Sequence, residues 1–227
     1  MSVRIFITGS CSAALGNWEQ QLGNAAILIG LLKSIHKLLP NVIVTTKYQL
    51  SEEFSHTYGI QSIVLEQEGA AKVKRAFITL WNLISSGLWR VFYTLFNLDI
   101  EIFRSTNLLK AYHNADIILD LSGDTYGDNI PFKNFVKHSL DLLAAHFLHK
   151  PIVILASSPG PFSGRVKRLI ARFVFDKATV ITTREPISSG LLRKVRVRAP
   201  IITTAVSYTH LRAHETRHDL VCRLLLE

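Results

Sequence analysis

Three short polar clusters hold the side chains of this chain best suited to chemistry. The first is Asp120, Ser122, Gly123 and Asp124, which follow the apolar run Ile117-Ile118-Leu119. The second is Ser157, Ser158 and Gly160, which follow Ile152-Val153-Ile154-Leu155. The third is Thr183-Arg184-Glu185-Pro186-Ile187-Ser188, after the β-rich segment Ala178 to Thr182. Carboxyl and hydroxyl groups hold ligands and move protons, and guanidinium groups grip carboxylates and phosphates. Arg184 also lies in a basic stretch. Between Arg165 and Arg198, ten Lys or Arg residues are opposed only by Asp176 and Glu185, so this stretch carries +8 of the formal +9. Such a local excess suggests an anionic partner (a phosphate, a nucleotide or a lipid headgroup), or else a solvated basic helix face. Nucleic acid is not expected. Only Phe173 and Phe175 interleave the charges, and both read as core positions.

Short apolar runs that alternate with helical patterns indicate parallel strands joined by crossover helices. Ligands of such sheets sit beyond the carboxyl ends of the strands, so the first two clusters should face one crevice. Val3 to Thr8 reads as the first strand and leads into Gly9, Ser10, Cys11 and Ser12. Gly9 and Gly16 do not make GxGxxG and no GK[ST] follows, so neither a dinucleotide nor a P-loop site is supported. The helix expected over 23–39 carries a sheet-facing stripe that includes Ile27, Leu28, Leu31 and Ile35. Asn24 at its start either caps it or aims at a ligand. Strands are expected at 42–46 and 60–65, with a short helix over 51–58 between them. Past the second cluster, 166–175 reads as a helix with Leu169, Ile170, Phe173 and Val174 facing inward, followed by a helix over 188–194 and a strand at 201–203.

Residues 71–103 read as an apolar helical insertion. No charge occurs from Ala76 to Trp89, and Arg90 alone interrupts the run to Leu98. Phe77, Leu80, Trp81, Ile84, Leu88, Val91 and Leu95 share one face, with Lys72, Lys74 and Arg75 at its start. A spanning helix needs about 20 apolar residues, and an arginine near the middle argues against one. A long packing helix, or one covering a partner domain, is expected. The alternative is an amphipathic helix resting on an anionic membrane surface, a peripheral contact.

The 227 residues, 48% apolar and 9% aromatic, suffice for the core of one large domain. Cys11 and Cys222 give no framework for disulfides or metal and suit a reducing compartment. Met1 runs directly into the first strand without a basic leader, so no signal peptide is expected. A cytoplasmic protein is expected, with the inner face of the membrane as an open possibility. Residues 206–227 resemble the translation of a transposase-type sequencing adapter, so the native sequence is expected to stop near residue 204. His210, His214 and His218 imitate a metal-binding helix, but they are expected to be accidental codons, and no metal site is expected.

The segments LSGDTYGDN, KPIVILASSPGPF and TVITTREPIS, in this order and spacing, resemble the polysaccharide pyruvyl transferase family. GNAAILIGLLKSI is similar to that family's first helix, and the resemblance extends over residues 1–200, weakest at 71–103. It implies a Rossmann-like α/β parallel sheet with flanking helices, residues 1–204, as the N-terminal half of a two-domain GT-B-like fold. It implies transfer of the enolpyruvyl carbons of phosphoenolpyruvate onto two hydroxyls of a polymeric or lipid-linked sugar, as a ketal, with release of phosphate. Phosphoenolpyruvate is then a co-substrate and no cofactor is needed. For that chemistry Asp120 and Asp124 are the acid–base candidates, or else they cap the turn or the following helix. Arg184, Ser158, Gly160, Gly123 and Asn24 are the substrate-binding candidates, with Arg184 otherwise pairing with Glu185 or another carboxylate and Ser158 and Gly160 otherwise only shaping their turn. The family commonly has an acidic residue where this chain has Asn24. A site between two domains also implies that this chain alone is inactive. Two other functions stay open: a GT-B-type glycosyltransferase using a nucleotide sugar, and a non-catalytic module that docks acidic glycans or membranes through the basic 165–198 face.

Overall fold

Aliphatic and β-branched residues dominate six of the seven short strands, β1 (Arg4–Thr8), β2 (Ile43–Thr46), β3 (Ile60–Ser62), β4 (Ile117–Asp120), β5 (Ile152–Ser157), β6 (Val180–Thr183) and β7 (Ile201–Thr203), the exception being β3, Ile-Gln-Ser. The computed structural model describes residues 2–9, 22–66, 71–122 and 126–204. The strands form one sheet in the order β3-β2-β1-β4-β5-β6-β7, and every pairing is parallel. Winding therefore runs one way from β1 and the other way from β4, the Rossmann-like doubly wound arrangement. Helices α1 (Leu22–Leu38), α2 (Glu52–Tyr58), α3 (Lys72–Phe96), α4 (Asn107–Asn114), α5 (Phe132–Phe147), α6 (Arg165–Phe175) and α7 (Pro186–Lys194) flank it.

The period-2 alternation of strand side chains makes two cores. Ile5, Ile7, Val44 and Leu119 point to one face and pack with Leu28, Leu32 and Ile35 of α1. Phe6, Ile118, Ile154 and Ile181 point to the other, under Tyr112 of α4, Phe135 of α5, Phe175 of α6 and Leu192 of α7. Local chemistry sets the helix starts. Ser51 caps α2 by accepting from Phe54 N, and Thr106 caps α4 by accepting from Leu109 N. The third strand stops at Ser62 and does not run on to Leu65. Its neighbour β2 ends at Thr46, whose carbonyl takes one last bond from Ile63 N.

Two helices turn differently from expectation. In α6 the buried residues are Ala171, Val174 and Phe175, while Leu169 and Phe173 are 67% and 52% exposed. Phe175 decides that rotation, because its ring sits edge-on against Tyr126 at 4.9 Å and near Phe162. In α3 the expected packing face points to solvent. Thr79, Asn82, Ser85, Ser86 and Trp89 are buried instead, and Phe77 is 64% exposed. Specific bonds hold that rotation. Trp89 Nε1 donates to Asp99 Oδ1 at 2.8 Å, Thr106 Oγ1 donates to Asn82 Oδ1 at 2.8 Å, and Arg90 donates to the His146 carbonyl at 3.2 Å.

Gly9 ends β1 at φ +137°, a region that side-chain-bearing residues avoid. A Cβ there would lie 2.7 Å from the Leu121 carbonyl carbon and 2.9 Å from Ser122 N. Gly9→Ala is expected to cost about 2 kcal/mol, read as a lower urea midpoint with unchanged slope. An unshifted midpoint would show that the β1 and β4 ends are not this close.

Candidate active site

The carboxyl ends of β1 and β4 meet where the strand order reverses, the usual ligand position in such sheets. Asp120 is the last residue of β4 and only 1% exposed. Its Oδ2 accepts from Tyr126 Oη at 2.6 Å, and its Oδ1 accepts from Ser122 Oγ. Burial raises its carboxyl above the ordinary carboxylate range, against the opposing pull of the two hydroxyls and of Lys47. Burial and the neighbouring carboxylates likewise raise the Tyr112 and Tyr126 phenols, which keeps them protonated donors. Ser122 and Tyr126 bracket Gly123, Asp124 and Thr125. One buried carboxyl thus bonds to the residues on both sides of the segment that carries the second acidic group. Gly123 and Asp124 themselves lie outside the described residues. So do Cys11, the tail 206–227 and the side chain of Asn24, which is the third residue of α1.

The chain after Tyr126 is clamped to the loop after β5. Gly160 N donates to the Tyr126 carbonyl and Asp128 N to the Pro161 carbonyl at 3.0 Å. The Gly160–Pro161 peptide is cis and Gly160 has φ +97°. A Cβ on Gly127 would lie 2.7 Å from Gly160 O, and one on Gly160 would lie 2.8 Å from Leu191 Cδ1. Gly160 therefore has a conformational part here, with its own N–H already engaged. Asp128 completes the clamp. Its Oδ2 accepts from Ser163 N at 2.7 Å, and its Oδ1 accepts from Lys167 Nζ at 3.1 Å. These donors hold the Asp128 carboxyl below its usual range, the Ser163 hydroxyl most of all. Ser158 is half-buried beside this clamp, at the carboxyl end of β5.

Arg184 follows β6 and stands just before α7, which begins at Pro186. Its backbone N donates to the Ser157 carbonyl at 3.2 Å, which fixes it against the end of β5. Behind it, Ser189 Oγ lies 2.7 Å from Thr183 Oγ1 and 2.6 Å from Thr203 Oγ1, joining α7 to the ends of β6 and β7. Strands β4 and β6 are two places apart, about 10 Å. Asp120, Ser158 and Arg184 are therefore brought to one rim within the span of a small ligand.

A second set of charges lies on the α5 side of β1 and β4. Lys47 follows β2 and pairs with Asp141 of α5 at 3.5 Å, the two being 13% and 7% exposed. His138 of α5 is buried beside Tyr126, with ring centroids 6.5 Å apart. Burial, with help from the Lys47 and Lys137 cations, lowers its pKa to about 2, so it is a neutral imidazole. Sequence reasoning passed over Lys47, Tyr126, Asp128 and Asp141. Lys47 had a usable signal, since it directly follows an apolar strand in the same way as Asp120 and Arg184. Among the described residues, no three His, Cys, Asp or Glu side chains gather as a metal site requires. A cavity of about 380 Å³ lined by Arg4, Ile43, Asn107 and Lys110 opens where β1 and β2 begin, away from this rim.

Fold and rim together define a class: a doubly wound α/β domain with polar loops after successive parallel strands, where such sheets take their ligands. A family model described as polysaccharide pyruvyl transferase matches residues 22–205. The chain belongs to that family. It is also similar to the amylovoran biosynthesis protein AmsJ of Erwinia amylovora, with 26% identity over 188 residues that cover 77% of this chain and 42% of the relative. The chain thus spans less than half the length of that relative.

Proposed function

We propose that this chain is part of a transferase that moves the enolpyruvyl group of phosphoenolpyruvate onto a sugar, as a ketal, during exopolysaccharide synthesis. The observation that carries the reading is the family match over residues 22–205, which includes all three polar clusters of the rim. The first sugar hydroxyl adds to C2 of phosphoenolpyruvate while a proton is delivered to C3, which becomes a methyl group. The C2–O bond to phosphate then breaks, and a second hydroxyl closes the ketal. Inorganic phosphate leaves, and the two hydroxyl protons offset the one added at C3 and the charge of the departing group.

Such a reaction needs a cation for the carboxylate or phosphate and an acid–base group near C3. Arg184 is proposed for the first role, with the half-buried Ser158 beside it. Asp124 is proposed to carry the proton. Asp120, enclosed by Ser122 and Tyr126, acts as a positioning residue that holds the Asp124 turn. Gly160 lets the backbone come close, Gly123 is proposed to bind substrate with it, and Asn24 stands at the head of α1. The acceptor is a glycan polymer or a lipid-linked sugar.

The test uses the full-length parent protein with phosphoenolpyruvate and its glycan acceptor. Arg184→Ala is expected to lower kcat/KM about 100-fold, mostly through the KM for phosphoenolpyruvate, with the circular dichroism spectrum unchanged. Release of nucleoside diphosphate from a nucleotide sugar, with no inorganic phosphate from phosphoenolpyruvate, would replace this reading by that of a glycosyltransferase.

A further inference from the structure

We propose that the outward face of α3, together with the exposed helix starts of α5 and α6 beside it, is a docking surface for an anionic lipid bilayer. Amphipathic helices of globular proteins turn their apolar stripe to the core, and α3 does the reverse. Phe77, Leu80, Trp81, Ile84, Leu88 and Val91 are each between 41% and 64% exposed. The bonds from Trp89, Asn82 and Arg90 described above fix the helix in that rotation. The stripe is long: 25 residues of α3 extend about 37 Å. No helix among the described residues is long and apolar enough to cross a membrane, so the face suits lying on one.

Charge selects the occupant. At its exposed start helix α3 carries Lys72, Lys74 and Arg75, and it has no acidic residue. Both α3 and α6 pack on α5, so the three helices share one layer. Its outer surface adds Lys133 and Lys137 from α5, and from α6 Arg165 and Arg168 beside the exposed Val166, Leu169 and Phe173. A second copy of the chain would set these cations against themselves, whereas anionic headgroups would neutralise them. Aromatic residues flanked by Lys and Arg are what an interfacial surface needs. The surface also adjoins the rim. Lys137, whose pKa burial lowers with smaller contributions from the Lys47 and Arg75 cations, lies near the start of α5, the helix that follows β4 and Asp120. Docking would place the crevice at the level of the headgroups.

The test measures co-sedimentation of this chain, and separately of its full-length parent, with phosphatidylcholine vesicles containing no or 30% phosphatidylglycerol. Both proteins are expected to partition at least 10-fold better onto the anionic vesicles and to be released by 0.5 M salt. The triple variant Phe77→Ser, Leu80→Ser, Trp81→Ser removes only exposed side chains, so its circular dichroism should match the starting protein while partitioning falls at least 10-fold. The share of the emission lost in a Trp81→Phe variant belongs to Trp81, and that share should shift to the blue on anionic vesicles. Equal binding to neutral and anionic vesicles would overturn the proposal. So would a dimer in solution that the triple variant abolishes, or binding by the short chain that the parent lacks, since the face would then be covered by another copy or by the rest of the parent.

Discussion

Lowering the pH from 7 to 5 is expected to destabilise the domain by about 2 kcal/mol through His138 alone, and by about 6 kcal/mol over the full titration window. The sign follows from the direction of the shift. Burial, reinforced by Lys47 and Lys137, lowers the folded pKa of His138 to about 2, while the unfolded chain protonates near the ordinary value of about 6.5. The unfolded state therefore binds the proton first. The stability contributed by the neutral ring is complete above about pH 6.5 and falls as pH drops toward 2. His146, lowered to about 4 by burial and Arg90, adds to the loss in the same direction. Urea unfolding at pH 7, 6 and 5 reads the slope. His138→Leu keeps an apolar side chain in the buried position and should flatten the slope by close to one proton. Parallel curves for the two proteins would show that His138 titrates normally.

Removing the Asp120 carboxyl is expected to cost about 3 kcal/mol, because Tyr126 Oη and Ser122 Oγ would each lose their acceptor inside the fold. Relief of the burial penalty on the carboxylate offsets part of that loss. Asp120→Asn keeps one acceptor and should cost about 1 kcal/mol. The more telling readout is activity of the full-length parent. If the carboxyl anchors the turn that carries Asp124, Asp120→Asn should lower kcat more than it raises KM, without moving the pH optimum. A shift of the acid limb of the pH profile would instead make Asp120 itself the proton donor. Urea midpoints equal to the unchanged protein for both variants would remove the anchoring role.

Most of the sheet could be read from the sequence because most strands are apolar runs that end on a polar residue, as at Asp120, Ser157 and Thr183. That rule also gave the rim. Orientation could not be read in the same way. Periodicity showed that α3 has an apolar stripe, but not where it points. The pointing comes from Asp99, Thr106 and His146, which are 10, 24 and 56 residues from their partners Trp89, Asn82 and Arg90. The same limit hid the Lys47–Asp141 pair, whose members are 94 residues apart, and the clamp from Asp128 to Lys167. Leu169 and Phe173 looked inward because a helical wheel has no knowledge of the Tyr126 ring that draws Phe175 inward instead.

The central pairing of β1 with β4 joins Ile5 to Ile117. At ribosomal rates of about 5–20 residues per second, roughly 6–22 s separate the emergence of these two strands. During that interval β1 and β2 can pair, but the inner edge of β1 waits with unpaired backbone groups, and α3 adds 25 residues to the delay. Nascent chains stalled before residue 117 should therefore hold a half-built sheet. That makes this stretch of translation the interval at which a chaperone would have the most to shield.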